Sequence, residues 1–154
     1  SLTPTLPDGG TNKRRIASWL REGASLVPII QDGRYFVRKT AVLDVDASNP
    51  GTSAVSRTLS VPTGISVLAM MNVQVRVHNA GDYCLLSDLA TTDSAPSATA
   101  APLGTGGSNT VVSAEIVGPV ELRTNSSGQI RSRFTASGVN TNLRIATVGW
   151  CART

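Results

Sequence analysis

The chain has 154 residues with two each of Trp, Tyr and Phe, so it can hold one modest core built mostly from Val, Leu, Ile and Ala. Its net charge is +4, and Lys13, Arg14, Arg15, Arg21, Arg34, Arg38 and Lys39 against Asp8, Glu22 and Asp32 account for all of it (7 − 3 = 4). That balance elsewhere argues against a nucleic-acid-coating domain, and the absence of any run near the ~20 apolar residues of a membrane span argues against a transmembrane helix.

Residues 1–11, SLTPTLPDGGT, have no periodicity and carry Pro4, Pro7 and an Asp8-Gly9-Gly10 turn. They are expected to form an extended arm. The polar start lacks the apolar stretch of a secretion signal. Asn12 is placed to cap a short helix running through Trp19–Glu22, with Ile16, Trp19 and Leu20 as a narrow apolar stripe and Gly23 as its stop. About three turns are unstable alone in water, so the stripe must dock on the domain or on a neighbour. Residues 1–24 are thus expected to form an arm with a short basic helix, and residues 25–154 a β domain.

From residue 25 the chain reads as short strands and turns. Ser25–Ile30 is an apolar run, and Asp32-Gly33 turns it into a long strand over Tyr35–Asp46. Ser48-Asn49-Pro50-Gly51 breaks that strand, Val55–Val61 is the next, and Pro62-Thr63-Gly64 turns again. Ile65–His78 is the most apolar stretch, with its front half apolar on both faces, and is expected to be the central strand. Asn79–Asp82 should fold it into a hairpin with Tyr83–Leu86. Ala90–Gly107 is a long Ala/Thr/Ser/Pro/Gly loop with the single charge Asp93, of a kind that is usually functional or interface-bound. Asn109–Val117 resumes as a strand, Gly118-Pro119 breaks it, and Val120–Thr124 follows. Gln129–Ala136 and Asn142–Trp150 alternate with period two around Ser137–Thr141, which predicts a closing hairpin. Eight or nine such strands predict an all-β, antiparallel β-sandwich, jelly-roll-like and of about eight strands.

No residue set points to catalysis. His78 is the one histidine, so a Ser-His-Asp arrangement would have to converge on it, with Cys84 the nearest nucleophile in sequence. Cys84 lies between apolar neighbours, as expected of an inert thiol, and Cys84 and Cys151 are expected to be two free buried thiols. Asp44 and Asp46 share one strand face, and Asp88 and Asp93 flank a loop. Neither pair has the further ligands or glycine spacing of a calcium loop, and solvated-face or turn-capping roles are expected. Asp44, Asp46, Glu115 and Glu121 could supply acid and base to a glycosidase, but there is no aromatic-rich cleft to hold a polysaccharide. No phosphate-binding or metal-ligating motif occurs. No enzyme, cofactor or metal is expected. Asn125-Ser126-Ser127 matches a glycosylation acceptor, a pattern common by chance. The arginines after Glu121, namely Arg123, Arg131, Arg133, Arg144 and Arg153, are expected to form a solvated basic face with carboxylates nearby.

The phrases SVPTGISVLAMMNVQV at 60–75, YCLLSD and APSATAAPL within 83–103, and ELRTNSSGQIRSRFTASGVNTNLRIATVGW at 121–150 resemble small bacteriophage virion structural proteins of tail-fibre or head-fibre type. The resemblance spans roughly residues 54–150. It implies a location in the virion, a homo-oligomer (a trimer, by analogy) and contacts with other virion proteins. The N-terminal region would then be the attachment arm, with Arg14, Arg15, Ile16, Trp19 and Leu20 as its contacts. An alternative expectation is a host-receptor or glycan-binding module using Tyr83, Trp150 and the loop 90–107, since sugars stack on exposed aromatics; against it, Trp150 is placed to close the core behind the last strand.

Overall fold

The computed structural model describes residues 20–77, 79–100, 106–108 and 115–152. Among these the chain is all-β, with no helix and with antiparallel sheets that do not close into a barrel. The strands are β1 (Arg21–Glu22), β2 (Ser25–Leu26), β3 (Ile29–Asp32), β4 (Tyr35–Ser48), β5 (Val55–Thr58), β6 (Val67–Arg76), β7 (Tyr83–Ser87), β8 (Gly106–Ser108), β9 (Glu115–Arg123), β10 (Gln129–Phe134) and β11 (Asn142–Ala152). β1 and β2 form a small hairpin. One larger sheet has the order β3-β4-β11-β6-β9, the other β5-β10-β7-β8. This arrangement is consistent with a β-sandwich.

The pairing is nested. β4 pairs with β11, β5 with β10, β6 with β9 and β7 with β8, all antiparallel. The crossovers that join these pairs lie side by side and hydrogen-bond to each other. Asn49 N–H donates to Thr141 O at 2.8 Å, and Gly51 N–H donates to Ser137 Oγ at 2.9 Å. Leu59 N–H donates to Gly128 O at 2.9 Å, and Gly64 N–H to Ser126 O at 2.7 Å. Gly128 is held there at φ +72, where a Cβ would also press on the Leu59 carbonyl.

One core draws on both sheets. In β6, Val67, Ala69, Met71, Val73 and Val75 are buried and alternate with outward residues. Leu143 and Ile145 of β11 face inward beside them, opposite Cys84 and Leu86 of β7 and Ile130 and Phe134 of β10. Each fully buried aliphatic chain contributes about 1.5–3 kcal/mol relative to exposure. Phe36 and Trp150 are cross-strand partners whose rings stack with centroids 5.4 Å apart and planes within 6°.

Several sequence expectations are corrected. The predicted C-terminal hairpin does not form: β10 and β11 lie in different sheets, and residues 135–141 are a corner between them. The corner's polar groups bond Asn49 and Gly51 rather than closing a turn on themselves. The expected hairpin of β6 and β7 likewise splits between the sheets. Gly118-Pro119 does not interrupt its strand. Pro119 sits inside β9, opposite Asn72, and β9 is an edge strand, where a missing N–H is tolerated. Leu20–Glu22 is not helical. Gly23 at φ +57 turns Arg21–Glu22 back onto Ser25–Leu26, and the rest of the expected helix, residues 12–19, lies outside the described residues. The Asp32-Gly33 turn between β3 and β4 forms as expected, with Gly33 at φ +56.

Candidate interaction surface

One polar cluster begins at two irregularities in β4. Against β11 the register steps from Val45 to Leu43, which leaves Asp44 unpaired in a bulge, and then from Val42 to Val37. The first bulge frees the Asp44 carboxylate to accept hydrogen bonds from Ser60 N–H at 3.0 Å, from Ser60 Oγ at 2.6 Å and from the Thr147 hydroxyl. Beside the second lies Arg38, 6% exposed. It pairs with Glu22 of β1 and sends Nε toward Ser60 O at 3.4 Å. Glu22, Arg38, Ser60, Asp44 and Thr147 thus form one chain of contacts linking the β1–β2 hairpin, β4, the crossover before β6 and β11.

That cluster contains two carboxylates and two hydroxyls, yet it is a fastening. Thr147 is fully buried, and both Asp44 oxygens are already engaged. A groove of about 260 Å³ lies nearby, lined by Glu22, Ser25, Leu26, Val27, Pro28, Arg38, Thr40 and Val42. Its lining omits Asp44, Ser60 and Thr147. Asp46 of the expected acid pair faces away, bonded to Arg144 Nε at 2.9 Å, and this contact raises the Arg144 pKa. Glu115 accepts from Gln74 Nε2 at 2.6 Å. Among the described residues no group of three His, Cys, Asp or Glu could hold a metal ion.

The two cysteines are free and buried. Burial pushes the Cys84 thiol up to about 12, and the positive charge of Arg57 only partly opposes it. Arg57, whose own pKa burial lowers, donates from Nε to Ser132 Oγ at 2.9 Å. A thiol held protonated in this way is a poor nucleophile. His78 lies outside the described residues.

The outer face of the four-stranded sheet is roofed by the chain itself. Arg131 donates from one terminal nitrogen to Thr91 O at 2.9 Å, and Arg133 pairs with Asp93 at 2.6 Å. Asp88 pairs with Arg123 and accepts from Ala90 N–H at 2.7 Å. Burial opposes the Asp88 carboxylate, but the Ala90 amide and Arg123 outweigh it and hold its pKa below the usual value. Beneath this roof Leu85, on the outward parity of β7, is only 8% exposed, and Pro96 is buried. The described part of the Ala90–Gly107 loop is thus a cover, and the expected basic face is neutralised: Arg123, Arg131, Arg133 and Arg144 each meet a carboxylate.

The outer face of the five-stranded sheet has no such roof among the described residues. Ile30 of β3 and Val37 of β4 are cross-strand partners, 57% and 41% exposed. Leu43 of β4 pairs with Ala146, which pairs with Asn72, which pairs with Pro119 of β9. Leu43 is 56% exposed and Val117 of β9 is 68% exposed. Leu68, Met70, Ala146 and Val148 fill the middle, half-buried. The main charges of the central row, Asp46 and Arg144, cancel each other. By register Asn72, Gln74, Arg76, Glu115, Glu121 and Arg123 share this face, so its exposed apolar groups stand among polar ones.

Of the residues singled out from sequence, Trp150 is 3% exposed behind Phe36. It is therefore not a surface contact but part of the core, because β11 is a central strand flanked by β4 and β6. Tyr83 is half-buried at the start of β7. Leu20 packs against the core, and its carbonyl accepts from Val27 N–H at 2.9 Å. Arg14, Arg15, Ile16 and Trp19 lie outside the described residues. The exposed apolar residues Ile30, Val37, Leu43 and Val117 of the outer face are not among those singled out from sequence. Comparison with protein-family models, with characterised proteins and with solved structures finds no match to this chain.

Proposed function

We propose that the chain is a non-catalytic structural subunit of a bacteriophage virion, a fibre, appendage or decoration component that self-associates through its β domain and attaches to other virion proteins through its N-terminal arm. The observation that carries this reading is the group of exposed apolar side chains Ile30, Val37, Leu43 and Val117 on the outer face of the five-stranded sheet, set beside an opposite face that the chain covers itself. Exposed apolar groups gathered on one face favour contact with another molecule. The resemblance of residues 54–150 to phage virion proteins supplies the setting.

The nested pairing supports a finer reading of the fold as a jelly roll. A long hairpin of four strand pairs, β4·β11, β5·β10, β6·β9 and β7·β8, rolled into two sheets gives the observed orders, with β3 added at one edge. Jelly rolls occur in viral capsid and lectin domains, so the fold by itself leaves both the structural and the binding reading open. The buried Trp150 ring takes away the main aromatic platform of a glycan site, which favours the structural reading. The Glu22–Arg38 pair and the packed Leu20 fasten the start of the β domain, which is compatible with a preceding attachment segment.

Light scattering of the purified chain tests self-association. A discrete homo-oligomer is expected, and its mass gives the copy number, including whether the trimer implied by analogy is correct. A monomer persisting at about 100 µM, where contacts of even modest affinity are populated, would refute the reading. Removing residues 1–19 should leave the domain folded while abolishing incorporation into particles.

A further inference from the structure

We infer that Arg131 and Arg133 of β10 form a binding site for a phosphoryl group carrying two negative charges, and that the carboxylate of Asp93 stands in for that group within the chain. The site lies on the outer face of the four-stranded sheet, under residues 88–93. It goes beyond the structural-subunit reading and does not require self-association.

Three observations carry it. The first is spacing. Arg131 and Arg133 are two positions apart on one strand, so their side chains leave the same face about 7 Å from each other. The side chains are 13% and 27% exposed, which makes them an enclosed pair of guanidiniums rather than a solvated surface. The second is charge. Among the described residues Asp93 is the one carboxylate paired with either arginine, and it is shared between them. Asp88 is taken up by Arg123, so one positive charge is left over. The third is hydrogen bonding. Arg133 donates from a terminal nitrogen to Asp93 Oδ2 at 2.6 Å, but its Nε is buried and has no acceptor among the described residues. Arg131 Nε stands 3.9 Å from Asp93 Oδ1, beyond hydrogen-bond distance. Its terminal nitrogens go to neutral carbonyls, Thr91 O at 2.9 Å and Leu89 O at 3.4 Å. One carboxylate thus leaves both a charge and a buried donor uncompensated.

A phosphoryl group supplies what Asp93 does not. Its terminal oxygens accept hydrogen bonds in the paired geometry that guanidinium groups favour, and its second charge balances the second arginine. Because Arg133 Nε is buried, the group reaches it only when Asp93 gives way. The base of the cover can stay in place meanwhile, since Asp88 keeps Arg123 and the Ala90 amide. Binding is therefore coupled to displacement of the Thr91–Asp93 end, and weakening the hold of Asp93 strengthens binding.

The test titrates the full chain with inorganic phosphate, and separately with glucose 6-phosphate, each against sodium chloride at equal ionic strength. At about pH 7.5 both phosphates carry mainly two charges. Nuclear magnetic resonance of the arginine Nε–H groups and backbone amides should show saturable shifts at Arg131, Arg133 and residues 88–93. Asp93→Asn removes the competing charge at a partly exposed position and should tighten phosphate binding by about tenfold or more. Asp93→Asn with Arg133→Gln should lose binding, with the fold of each variant checked by circular dichroism. Arg144→Gln, on the other sheet, is the control and should leave the affinity unchanged. A response to glucose 6-phosphate would assign the site to a phosphate monoester, and a response to inorganic phosphate alone would assign it to the free ion; either upholds the inference. Shifts that sodium chloride reproduces, shifts that spare both arginines, or an Asp93→Asn affinity no higher than wild type would overturn it and leave the structural-subunit reading untouched.

Discussion

Replacing Asp44 with alanine separates a fastening role from a catalytic one. The substitution removes the acceptor for Ser60 N–H, Ser60 Oγ and Thr147 Oγ1. Thr147 is fully buried and Ser60 is partly buried, so water cannot fully replace the lost carboxylate. Hydrogen bonds to a charged group are worth about 1.5–3 kcal/mol each, and partial resolvation of Ser60 lowers the sum to about 3–5 kcal/mol. Arg38 would keep its pairing with Glu22, which limits the damage to the β4–β11 side of the cluster. Urea unfolding followed by far-ultraviolet circular dichroism reads this directly. With a slope of about 2 kcal/mol per molar, the midpoint should fall by about 2 M. A midpoint within about 0.3 M of wild type would mean that Asp44 does not hold these elements together, and the carboxylate would return to consideration as a chemical group.

Three other outcomes follow from the same structure. Gly149→Ala should destabilise by about 2–4 kcal/mol, because its Cβ would lie 2.3 Å from Phe36 O and 2.7 Å from Met70 Cε; an unchanged urea midpoint would show that β4 can move aside. Cys84 should resist a disulfide reagent in the native protein at pH 8, where a thiol near 12 is about 0.01% thiolate, and should react fully once unfolded; rapid native labelling would contradict its burial. The Asp88 carboxylate has a depressed pKa, so its contribution to stability is full above the unfolded value of about 3.9 and is lost as pH falls through the lower folded value. Acidification well below about pH 4 should therefore lower the protection of amides 88–93 relative to their intrinsic exchange rates, a loss of protection that Asp88→Asn should already show at neutral pH and that Arg144→Ala should not reproduce.

Period-two alternation made the strands legible, but not their partners. Gln129–Ala136 and Asn142–Trp150 were recognisable as half-buried strands from side-chain parity alone, close to the observed Gln129–Phe134 and Asn142–Ala152. The same parity fits two strands in one sheet and two strands on facing sheets, because in both cases one side of each strand is buried. What decides between them is where the corner's hydrogen bonds go, and Asn49, the residue that receives the Ser137 hydroxyl, lies 88 positions away in the chain. The Arg21–Glu22 hairpin was missed because Leu20 fits a helical stripe as well as it fits a packed flanking residue. The β9 strand was cut in two because proline was weighed without knowing that it stood at a sheet edge. The fastening role of Asp44 depends on a bulge, and a one-residue slip of register leaves no mark in composition.

The nested pairing also bears on how the protein is made. β11 is the central strand of the larger sheet, and it hydrogen-bonds to β4 and to β6, which precede it by 98 residues at the pair Asp46–Arg144 (144 − 46) and by 70 residues at the pair Gln74–Arg144 (144 − 74). Until β11 has been made, β4 and β6 have no strand between them, and two strand edges stand open. Long-range pairing of this kind closes slowly, and such open edges favour aggregation. A nonsense change anywhere before Asn142 therefore removes the keystone of that sheet rather than merely its last strand.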